Sequence, residues 1–65
     1  MDFVNINPGL KTGLRQAFTI TTGGHIFFLM YDGRNDSIIW NMFVDDYTLK
    51  QEIEEILKNY LMNQD

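Results

Sequence analysis

Cysteine is absent from this 65-residue chain, so neither a disulfide nor a thiolate metal site can stiffen it. Histidine occurs once. His25 follows a Gly-Gly pair, and no Ser, Cys or carboxylate is placed by the sequence to work with it. It reads as a polar strand-end residue. Basic residues are scarce, with five Lys and Arg against nine Asp and Glu, for a net charge of −4. That balance lacks the basic face on which phosphate-backbone binding depends. It fits a solvated acidic surface, or one that meets a basic partner. Long apolar runs are missing as well. HIFFLM is far too short to span a bilayer. The opening MDFVNINPG has neither the basic start nor the apolar stretch of a secretion signal. With no targeting segment and no Cys, the expected setting is cytoplasmic.

Catalytic signatures are also missing. No phosphate loop, dinucleotide fingerprint, zinc spacing or nucleophile elbow occurs. Asp32, Asp36, Asp45 and Asp46 do not follow the spacing of a calcium loop, and a turn and a helix cap account for them. The sequence assigns no catalytic, cofactor or metal residue and points to no small-molecule substrate.

What is present is a pattern of strands. Residues 15–44 read as a meander: RQAFTITT, the turn GG, HIFFLMYD, the loop GRND, then SIIWNMFV. In the first strand Phe18 and Ile20 point one way, and Ala17, Thr19 and Thr21 the other. Gly23-Gly24 is a two-residue hairpin signal, and its length fixes the register. Thr22 then faces His25, Ile20 faces Phe27, Phe18 faces Leu29, and Gln16 faces Tyr31. Across the second loop the expected pairs are Tyr31–Ile38, Leu29–Trp40 and Phe27–Met42. Opposed residues share a face. One face therefore carries Phe18, Ile20, Phe27, Leu29, Tyr31, Ile38, Trp40, Met42 and Val44. The other carries Thr19, Thr21, Ile26, Phe28, Met30, Ile39, Asn41 and Phe43.

A helix follows over 47–62, with Leu49, Ile53, Ile56, Leu57, Tyr60 and Leu61 on one stripe. Thr48-x-x-Gln51 has the spacing of a capping box, and Asp45 and Asp46 suit the positive end of the helix dipole. Lys50–Glu54 and Glu54–Lys58 are neighbours on the opposite face, and residues 63–65 are expected to fray. Residues 1–14 form a short strand or flap, with Pro8-Gly9 as a turn and Phe3, Ile6, Leu10 and Leu14 covering part of the sheet.

The expected fold is α+β, a single domain over 1–65. It is a three- or four-stranded antiparallel β-meander followed by one C-terminal α-helix packed on one sheet face. A chain this small buries only about 60% of its unfolded surface, so its core is marginal. Burial against a second chain is the remaining source of stability.

The helix covers the Phe27/Leu29/Trp40 face. The opposite face, with Ile26, Phe28, Met30, Ile39 and Phe43, is left to the flap, to a second copy or to another protein, and exposed patches of this kind mark contact surfaces. The expected function is a non-enzymatic protein-binding module, a homodimer or a binder of another protein, with an inhibitory or regulatory role. In size and charge the chain resembles phage and mobile-element proteins that block host enzymes, some by imitating DNA. That resemblance implies an acidic contact surface of Asp32, Asp36, Asp45, Asp46, Glu52, Glu54 and Glu55. In layout, four short strands and a helix, the chain is also similar to small dimeric single-strand-binding modules such as the Whirly proteins. Those need Lys and Arg along the sheet, where only Arg15, Arg34 and Lys11 are on offer. A third reading is a structural subunit of a larger assembly.

Overall fold

A computed structural model describes residues 3–64; Met1 and Asp2 of the expected flap and Asp65 of the expected frayed end lie outside it. Four antiparallel strands form one sheet in the order β1-β2-β3-β4, with β1 at Asn5–Thr12, β2 at Arg15–Thr22, β3 at His25–Asp32 and β4 at Ser37–Trp40. The helix α1, Tyr47–Met62, follows. This is the expected α+β meander.

The centre of the sheet has the register that the turn lengths dictate. Thr22 pairs with His25, Ile20 with Phe27, Phe18 with Leu29 and Gln16 with Tyr31. Gly23 and Gly24 take φ of 58° and 79°, the pair of positive angles that matches a hairpin turn to the twist of its strands. Beyond the second loop, Tyr31 pairs with Ile38 and Leu29 with Trp40.

Phe18, Ile20, Phe27 and Leu29 from the sheet and Ile53 and Leu57 from α1 form the buried core. Tyr31, Ile38, Trp40, Met42, Val44, Leu49, Ile56, Tyr60 and Leu61 pack around it, together with Ile6 from β1. The helix stripe and the core face are thus the expected ones. The Phe18 and Tyr60 rings meet edge to face, with centroids 5.9 Å apart.

Three local expectations are corrected. First, Pro8-Gly9 is not a turn and residues 3–14 do not lie over the sheet. β1 runs through Pro8 as an edge strand, where a missing N–H costs nothing. Between Pro8 and Lys11 the register shifts by one, so Gly9 and Leu10 together oppose Ala17 in a β-bulge. The reversal comes later, at Gly13-Leu14. Second, β4 stops at Trp40, so Phe27 and Met42 are not strand partners. Asn41 N–H still donates to Phe28 O at 3.0 Å, but the next bond runs from Phe28 N–H to Met42 Sδ at 3.4 Å. The chain leaves the sheet here to reach the start of α1.

Third, the cap is Asp46 and not Thr48. Its side chain accepts from Leu49 N–H at 3.1 Å, closing the first turn one residue before the helix begins. Gln51 does not reach back to the cap; its amide donates to the Tyr47 hydroxyl at 3.4 Å. At the other end Asn63 closes the helix, its side-chain amide donating to Asn59 O at 2.9 Å. Asp46→Ala is expected to cost about 1 kcal/mol, which lowers Tm by about 4–8 °C in a domain of this size. Thr48→Ala should leave Tm nearly unchanged. Thermal melts of the two variants followed by circular dichroism check the assignment.

Candidate functional site

Because β1 lies beside β2 and not across it, the second face of the sheet has no cover among the described residues. Alternation along β2 and β3 sets what it displays. Ala17, Thr19 and Thr21 pair with Met30, Phe28 and Ile26, and Met30 pairs with Ile39. Ile26 is 53% exposed and Phe28 48%, values at odds with their size and apolarity. Ile39 is also exposed, and Met30, between Ala17 and Ile39, is half-buried. Four of the five residues expected at a contact surface therefore form one continuous patch. Phe43, the fifth, lies in the connection after β4. It is 86% exposed between Met42 and Val44, which pack into the core, but it is not part of the sheet face.

The expected acidic surface does not hold together as one surface. Asp32 is 4% exposed and is committed internally. One carboxylate oxygen accepts from Arg34 N–H at 3.0 Å, and the other lies 3.5 Å from Arg15 Nε. That contact is the one ion pair among the described residues. Asp36 accepts from the Tyr31 hydroxyl at 2.6 Å. This bond raises the Tyr31 pKa above its ordinary value, with smaller contributions from desolvation and from the charges of Asp36 and Asp32. Asp46 is the helix cap.

Glu54 is turned inward as well. It accepts from Trp40 Nε1 at 2.7 Å, and Lys50 Nζ stands 5.5 Å from the Trp40 ring centroid. Lys50 and Glu54 thus both engage Trp40 and do not form the expected pair on the outer face. Asp45, Glu52 and Glu55 remain exposed and unengaged. Of these, Glu52 and Glu55 lie on α1 and Asp45 just before it.

His25 stands at the end of β3, its ring tilted beside that of Phe27 with centroids 6.3 Å apart. With Val4, Thr22, Glu52 and Ile56 it borders an open cleft of about 610 Å³ between the Gly23-Gly24 turn and α1. Sequence spacing does not bring Glu52 to the same cleft as His25, because that depends on where α1 crosses the sheet. Among the described residues no hydroxyl or thiol nucleophile other than Thr22 lines this cleft. Among the described residues no three His, Asp or Glu side chains converge on a point where a metal could bind. Among the described residues no helix is long and apolar enough to cross a membrane.

The chain matches no family model, no curated protein and no solved structure.

Proposed function

We propose that this chain is a non-enzymatic protein-binding module of the small acidic inhibitor or regulatory kind, with the open sheet face as its principal contact. The observation that carries the reading is the uncovered patch of Ile26, Phe28, Met30 and Ile39 at the centre of an ordered sheet. Solvent-facing strands ordinarily alternate apolar-in and polar-out. Here β3 is apolar on both faces, which stabilises the chain only when something covers the second one.

A nucleic-acid role has less support. A single-strand platform combines aromatic residues with cations that follow the backbone. The sheet face offers Phe28, but its one cation, Arg15, is paired with Asp32 at the far end of the strand. The exposed acids on the helix side offer a second contact of opposite character, suited to a basic target.

The test has two arms. Proteins retained from the native host by the wild-type chain are purified and titrated against wild type and Phe28→Asp, alongside labelled oligonucleotides over a range of salt concentrations. The expected result is protein binding that weakens at least about tenfold in Phe28→Asp, since the change buries a charge in an apolar contact. Tight oligonucleotide binding that falls steeply with salt would overturn the reading. So would protein binding that ignores Phe28→Asp.

A further inference from the structure

We infer that the occupant of the open sheet face is a second copy of this chain, stacked sheet on sheet about a two-fold axis that runs along the strands between β2 and β3. The inference rests on the reading of that face as a protein contact and names the partner. Three observations carry it.

The relief of the face is self-complementary. Its β3–β4 half is thick, built of Ile26, Phe28, Met30 and Ile39. Its β1–β2 half is shallower, with Ala17, Thr19 and Thr21 beside Asn5 and Asn7, and carries one large side chain, the exposed Leu10, opposite Ala17 at the β1 edge. A two-fold axis along the strands reverses strand order between the copies. The thick half of each then lies on the shallow half of the other, so Phe28 of one copy faces Thr19 of the second. An isologous contact requires this kind of match between a surface and its own rotated image.

Charge points the same way. The face carries no net charge, because Arg15 and Asp32 neutralise each other at one end. Two chains of charge −4 can therefore stack without opposing their acids, with Glu52 and Glu55 outward on the helices. A basic partner would gain nothing on this face.

Area lies near the lower limit for a dimer. Three strands of eight residues and one of four, about 4.8 Å apart and about 3.4 Å per residue, give a plane of roughly 460 Å². That is close to the roughly 500 Å² per partner at which specific interfaces begin. The chain also exposes 4899 Å², against about 4,300 Å² for a compact chain of its mass. Pairing through the sheet edges is the poorer route. Pro8 and the bulge blunt β1, and β4 is only four residues long.

The decisive experiment is a charge swap followed by sedimentation equilibrium of the purified chain at about 1–100 µM, a span wide enough to detect micromolar association. Wild type should sediment at twice its 7.7 kDa chain mass. Phe28→Asp and Thr19→Arg should each be folded monomers, with dimer affinity reduced at least about 100-fold by buried unpaired charges. Mixing the two variants should restore a dimer, because the new carboxylate of one chain meets the new guanidinium of the other. Folding of each variant is read independently from Trp40 fluorescence and far-ultraviolet circular dichroism.

A wild-type monomer across the whole range would overturn the inference while leaving the face free for a foreign protein. A dimer that survives Thr19→Arg would overturn the stacking. Two folded monomeric variants that fail to associate on mixing would do the same. If either variant does not fold, Thr19→Lys and Phe28→Glu are used in its place and judged by the same outcomes.

Discussion

Leu57→Asp is expected to leave the chain unfolded at room temperature. Leu57 is wholly buried, one of two α1 residues in a core of six. Removing the leucine alone costs about 2.7–5 kcal/mol on the scale of leucine-to-alanine changes in other cores. Placing a carboxylate there adds several kcal/mol more, since the nearby core residues Phe18, Ile20, Phe27, Leu29 and Ile53 offer no hydrogen bond or counter-charge. Stability for a chain of this length is about 3–10 kcal/mol. The loss matches or exceeds the whole of it.

Leu57→Met, which nearly conserves volume, should cost less than about 1.5 kcal/mol and keep a cooperative transition. Urea titrations followed by circular dichroism separate the two variants. A Leu57→Asp chain with native helix signal and a sharp transition would mean that α1 does not seat this residue in the core. Any stability that the second copy adds by mass action raises the midpoint of wild type and Leu57→Met together and leaves the contrast intact.

Why some elements were legible in the sequence and others were not follows from which interactions are local. β2, β3 and their register were readable because a two-residue turn leaves one possible pairing and a period of two then assigns every side chain. The helix was readable because its stripe repeats over four turns. Of β1 only the short strand before Pro8 was readable, because the bulge breaks that period in mid-strand and Pro8, Gly9 and Leu10 look like a turn and a crossing. The cap was misplaced by two residues because Asp46 and Thr48 are both good N-caps.

The open face was legible as a set of residues, but not as open. Whether residues 3–14 lay over it or beside it depended on the strand that the bulge concealed. The acidic residues were the least legible. Asp32, Asp36 and Glu54 look alike in sequence, yet Arg15, Tyr31 and Trp40 respectively engage them in the fold.

Trp40→Ala shows what such partners contribute, with an expected cost of about 3 kcal/mol, the lower end of the range for loss of a large aromatic because Trp40 is only half-buried. Three contacts end together. The first is the edge-to-face meeting with Phe27, whose ring centroid is 6.1 Å away at an interplanar angle of 88°. The second is the hydrogen bond to Glu54, and the third is the approach of Lys50 to the ring. The Phe27 contact contributes about 0.5–1.5 kcal/mol beyond burial. The charge-assisted bond contributes about 1.5–3 kcal/mol, discounted here because Glu54 is only partly buried. The Lys50 contact contributes about 0.5–1 kcal/mol.

Trp40 joins Ile38 in packing β4 against the core that α1 completes, and it alone of the two hydrogen-bonds to the helix, so its loss should also loosen the end of the sheet. Glu54→Leu removes the second contact alone and should cost about half as much as Trp40→Ala. The double variant should cost less than the sum of the two, since both changes delete the same hydrogen bond. Chemical denaturation of all four proteins, read by far-ultraviolet circular dichroism because Trp40 is the sole tryptophan, gives the coupling directly. Strict additivity would show that Glu54 and Trp40 do not act as a pair, and that β4 is fixed to the helix by burial alone.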